Sequence, residues 1–116
     1  MTIPRAMAFT AALTLVSTAS FAGPATPKPD PAKGRTLAER VCVACHAISK
    51  TPASTVASEV PSFPAIANKP GQSMEAIAGR IVIPHPPMPA IALTREEIVN
   101  VVAYIMTFKD APETNP

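Results

Sequence analysis

The stretch ERVCVACHAI, residues 39–48, carries both cysteines of the 116-residue chain and one of its two histidines. Cys42 and Cys45 stand two residues apart, and His46 follows at once. A structural zinc site takes four ligands, usually as two close pairs. Here there is one pair, with His46 directly beside Cys45, where the two cannot easily share a tetrahedron, and only His85 beyond. A thioredoxin-like dithiol places its CxxC where a strand feeds a helix inside an α/β sheet, and no strand pattern occurs in this chain. A disulfide between Cys42 and Cys45 suits an exported protein, but it would close a tiny loop and constrain little of the unfolded ensemble.

Covalent haem attachment uses all three residues. C-x-x-C-H is the attachment pattern of c-type haem. The two thiols add across the two vinyl groups of the porphyrin, and the residue after the second cysteine supplies an imidazole nitrogen to the iron. Cys42 and Cys45 are therefore expected to form the thioethers, and His46 to be the proximal ligand of one haem c. Such a group also answers a packing problem. The domain is small and has no Trp, one Tyr and 15 prolines, and domains of this size usually need a disulfide, a metal or another large body at their centre.

The flanking sequence bounds the domain. Residues 1–22, MTIPRAMAFTAALTLVSTASFA, read as a signal peptide: Arg5 precedes an apolar run from Ala6 to Val16, and Ser20 and Ala22 stand at −3 and −1 before Gly23. The run falls short of the roughly 20 apolar residues that span a bilayer, and so does the apolar stretch near 98–108. The chain has ten basic and eight acidic residues, of which cleavage would remove Arg5 alone, leaving nine against eight and a net charge of +1. No basic run or aromatic platform suits a nucleic acid. The expected location is the periplasm.

Residues 23–32 read as a Pro-rich flexible arm, residues 33–110 as the folded domain, and residues 111–116 as a C-terminal tail. A helix is expected over 33–47, with Leu37, Val41 and Ala44 on one face. Residues 49–72 look like an irregular loop, and one so long in a small domain is uncommon unless it wraps something. Ser73 can cap a helix over 74–82. Thr94 and Glu97 form a capping box for a last helix with Ile98, Val101, Val102, Ile105 and Phe108 along one stripe. The fold class is all-α with long Pro-rich connections.

A second axial ligand should lie downstream, among Met74, His85, Met88 and Met106. Met74 and Met106 fall in expected helices, where methionine is ordinary packing. His85 and Met88 share PHPPMPA, in which prolines on both sides of Met88 set its backbone. A thioether favours Fe(II) and raises the potential, whereas imidazole would lower it. Met88 is the preferred distal ligand and His85 the alternative; otherwise His85 is a loop histidine near the haem edge.

The chain resembles the class I c-type cytochromes in their short bacterial, single-haem form. The resemblance spans nearly all of residues 33–108, through GRTLAERVCVACH, VPSFPAIA, PHPPMPAIALTREEI and VVAYIMTFK in that order. It implies a small fold of three to four helices around one covalent haem, with the N- and C-terminal helices crossing at Gly34 beside Tyr104. The family commonly carries an aromatic where this chain has Ala38. The resemblance also implies that the Pro61 carbonyl accepts the proximal imidazole N–H. Arg80 could pair with a haem propionate, its alternative being a solvated helix charge.

The expected function is one-electron transfer by an Fe(III)/Fe(II) carrier of the respiratory chain, not enzymatic catalysis. Its redox partners would be a dehydrogenase or bc-type complex as donor and an oxidase as acceptor. Two alternatives stand beside this reading: a haem c subunit of a periplasmic dehydrogenase, such as a sulfite or alcohol dehydrogenase, and a haem enzyme or gas sensor with an open iron position. A free carrier would be monomeric.

Overall fold

A computed structural model describes residues 19–20, 22–51 and 59–110. Most of the proposed signal peptide, the segment 52–58 and the tail 111–116 lie outside the described residues. Four helices follow one another: α1 (Pro31–Val41), α2 (Phe63–Ala67), α3 (Met74–Val82) and α4 (Arg95–Met106). No strand occurs among the described residues; the one β-type pairing is an isolated bridge between His85 and Met88.

Helix α1 begins two residues before the expected start. The side chain of Asp30 accepts from the N–H groups of Ala32 and Lys33 at 3.0 and 3.2 Å, and Pro31 occupies the first turn. Proline is at home there because its missing N–H would have no intrahelical partner. The Pro-rich arm therefore gives up its last two residues to the helix. Asp30 is also tied from its own backbone, since its N–H donates to Asn100 Oδ1 at 2.9 Å.

The other end of α1 also differs from expectation. The helix stops at Val41: the Cys42 N–H makes the last ordinary helical bond, to the Ala38 carbonyl, and the Val43 N–H reaches back to that same carbonyl rather than to Glu39. Leu37 is buried and Val41 half-buried as the face requires, but Ala44 lies beyond the helix and is exposed. The expected loop over 49–72 likewise contains a helix. Ser62 caps α2 by accepting from the Ala65 N–H at 3.2 Å, and Phe63 and Ala67, one turn apart, are both buried. The prolines concealed it: Pro64 in the first turn is compatible with a helix start.

Helix α3 and helix α4 start where the caps placed them. Ser73 accepts from the Ala76 N–H, and the Thr94–Glu97 capping box closes in both directions. Helix α4 packs against each of the other three. Its Val101, Val102 and Ile105 join Leu37, Ala38, Phe63, Ala67 and Ile77 in the core. At the α1–α4 crossing, a Cβ on Gly34 would run into the Asn100 carbonyl and lie 2.9 Å from Tyr104 Cβ. Only glycine lets the two backbones approach this closely. Ala38, one turn further along α1, has no exposed surface.

Candidate haem-binding site

The CVACH segment forms a turn of its own after α1. The N–H groups of Cys45 and His46 both donate to the Cys42 carbonyl, at 3.1 and 2.9 Å. The turn places three chemically distinct groups together. Both thiols are free; Cys42 is half-buried and Cys45 exposed. Burial pushes the Cys42 thiol above its ordinary pKa, because a thiolate there would lose hydration.

His46 is anchored from a distant part of the chain. Its Nδ1 lies 2.7 Å from the carbonyl oxygen of Pro61. A carbonyl can only accept, so Nδ1 carries the proton and Nε2 keeps its lone pair. This is the arrangement that orients a metal-binding imidazole and raises its basicity. The same contact region is laced by backbone: the Phe63 N–H donates to the Ala47 carbonyl at 2.9 Å. The Phe63 ring then packs against His46 with centroids 5.8 Å apart, and against Tyr104 at 6.0 Å. Tyr104 donates its hydroxyl to the Ile48 carbonyl at 2.8 Å. Burial raises its pKa, which keeps the donor proton in place.

His85 and Met88 flank a tight turn at Pro86–Pro87 and pair across it. Both are half-buried, and His85 Nδ1 donates to the Ile83 carbonyl at 3.1 Å. Arg80 is exposed in the last turn of α3. Among the described residues no group of three or more His, Cys, Asp or Glu side chains converges as a metal cluster, so the donors of a tetrahedral zinc site are not assembled around the turn. Among the described residues, the large apolar side chains that stand exposed adjoin the two candidate ligand stretches: Val43 between the cysteines, and Val82 and Ile83 just before PHPPMP. Two thiols, a directed imidazole and uncovered apolar side chains fit a haem.

The cytochrome c family model matches residues 31–109, the whole of the helical domain. The chain belongs to the cytochrome c family. This cytochrome is 38% identical over 76 residues to cytochrome c-552 of Bradyrhizobium diazoefficiens, a match covering 66% of the present chain and 72% of that protein. No solved structure matches. A class I c-type cytochrome holds one covalently bound haem c and is an electron carrier rather than an enzyme. The all-α architecture with its N- and C-terminal helices crossed at Gly34 agrees with that membership. Such a carrier works with redox partners, and among the described residues no helix is long and apolar enough to cross a membrane.

Sequence reasoning passed over two side chains that tie distant parts of this cytochrome together. Asn100 is the one polar residue buried in the core among those described, and it receives the Asp30 N–H. Asn68 ties α2 to the chain beyond α4. Asn100 lies off the apolar stripe of Ile98, Val101, Val102 and Ile105, so the helical period did not mark it, and nothing local marked Asn68.

Proposed function

We propose that the chain is a periplasmic one-electron carrier whose haem is attached at Cys42 and Cys45 and ligated by His46 and Met88. The S–H bond of each cysteine adds across a vinyl C=C, so attachment has no leaving group. Bound there, the haem supplies the Fe(III)/Fe(II) couple. The chain's own contribution is orientation and shielding. Pro61 holds the Nδ1 proton of His46 and directs Nε2 outward from that bond, supported by the 2.7 Å contact that carries this reading. Met88 would offer its thioether from a turn whose backbone the prolines restrict. Val43, Val82 and Ile83 would exclude water, and Arg80 would face a propionate. Residues 1–22 would direct export before attachment.

The test is expression with the haem-attachment machinery in a bacterial host. The expected product is coloured, has the mass of residues 23–116 plus one haem, and titrates with one electron. A colourless product with the mass of the bare polypeptide overturns the reading. Elution from native extract alone and at small size separates a free carrier from a subunit held in a dehydrogenase complex.

A further inference from the structure

Helix α2 has five residues, far below the length at which an isolated helix persists in water. Phe63 and Ala67 seat it in the core, and its ends, which lie only about 7.5 Å apart along the axis, are fastened to the chain on either side. Its N-terminal end meets the haem-binding turn, through the Pro61 carbonyl on His46 Nδ1 and the Phe63 N–H on the Ala47 carbonyl.

The C-terminal end is fastened by one side chain. Asn68 Nδ2 donates to the carbonyls of Pro64 and Phe108, both at 3.0 Å, and Asn68 Oδ1 accepts from the Asp110 N–H at 2.9 Å. A carboxamide can make this set because it carries two donors and an acceptor; a carboxylate has no donor for the two carbonyls. The residues so gripped continue directly from α4. Helix α4 in turn reaches back to the segment after His46, through the Tyr104 hydroxyl on the Ile48 carbonyl. The connections close a ring: α4, Asn68, α2, Pro61, His46, Ile48 and α4 again.

We propose that Asn68 is a positioning residue for His46, acting through α2 to keep the Pro61 carbonyl on the Nδ1 proton and so setting the reduction potential. The proposal rests on His46 being the proximal ligand. It gives an exposed amide, 22 residues from the imidazole in sequence, control over ligand basicity.

Asn68→Asp keeps the size and the acceptor but removes both donors. In the haem-loaded protein, exchange of the His46 ring N–H, followed by NMR, should quicken roughly tenfold, as expected for losing about one net hydrogen bond from the restraint. The midpoint potential should rise, because a less basic imidazole stabilises the ferric state less. Asp110→Pro deletes the N–H that reaches Asn68 Oδ1 and should move both readouts the same way by less. It also decides the matter if Asn68→Asp does not fold, provided that Asp110→Asn, which removes the carboxylate 3.9 Å from Lys50 but keeps the N–H, leaves both readouts unmoved. Thr94→Ala serves as the control: it removes the cap at the start of α4, at the end opposite the Tyr104 and Phe108 contacts of this ring, and should leave both readouts at their wild-type values. Variants that lose thermal stability as Thr94→Ala does, with ring exchange and potential unmoved, would show that Asn68 is merely structural. A colourless wild type would overturn the haem assignment itself, whereas a coloured wild type with unmoved variants overturns the role of Asn68 alone.

Discussion

The α1–α4 crossing and the CVACH and PHPPMP turns are built on opposite terms. At the crossing, polypeptide satisfies polypeptide: Ala38 has no exposed surface, Val101 and Val102 have 1% each, and the Asn100 side chain is hydrogen-bonded. Around CVACH and PHPPMP, large apolar side chains remain uncovered, with Val82 at 60% and Ile83 at 67% exposure. Scattered exposed apolar residues are normal on proteins; these adjoin the ligand-bearing stretches of a family that carries haem. One region is complete as folded chain, while the other leaves large apolar side chains uncovered beside CVACH and PHPPMP. Mutations should therefore act on stability at the crossing and on iron chemistry at the turns.

The strongest break in that division is Gly34→Val. The added carbons meet the Asn100 backbone, which cannot step aside without separating the helices. The expected cost is at least about 3 kcal/mol, at the upper end of overpacking penalties and a large fraction of the stability of a small domain. Denaturant melts of the haem-loaded protein measure it; a midpoint equal to that of wild type would mean the crossing is looser than described.

A change at the turns should leave the fold standing. Met88→Ala is expected to retain covalent haem and helical content, lose the far-red methionine-to-iron band, lower the potential and admit carbon monoxide. His85→Ala should change none of these. If the two variants exchange behaviours, His85 is the distal ligand, and the division survives with a different residue in the role.

Smaller effects sharpen the comparison at α4. Thr94→Ala removes an N-cap and half of a capping box, with an expected loss of about 1 kcal/mol and no change in absorption spectrum. Glu97→Gln isolates a pH effect. Hydrogen bonds from the Thr94 backbone, and then from its hydroxyl, hold the Glu97 carboxyl below its usual 4.5. A depressed carboxyl stabilises the fold above its ordinary pKa and loses that contribution as pH falls below about 4.5 through the folded value. The wild type should therefore lose stability on acidification more steeply than Glu97→Gln, whose amide can still accept from Thr94. Thermal melts at a series of acid pH values compare the slopes.

Much of this was legible along the chain because it depends on short spacings. C-x-x-C-H spans one turn; the caps at Ser73 and Thr94 each reach three residues; the α4 stripe repeats within four. The errors lie where local signals conflict. Prolines that read as loop at Pro31 and Pro64 sit in the first turns of helices, where their lack of an N–H costs nothing. Helix α1 was carried too far because Ala44 continues its apolar period, while the Val43 N–H had already reached back to the Ala38 carbonyl.

Taken alone, the order of residues determined the C-x-x-C-H motif, the two capped helices and the all-α class, since each is encoded within a few positions. Tertiary structure alone decided that Gly34 meets Asn100, that His46 gives its Nδ1 proton to Pro61, and that Asn68 spans 40 residues to hold Phe108. Those partners are distant in sequence, and hydrogen bonds act only over about 3 Å. Only the packing of α1, α2 and α4 against one another could bring them within that reach.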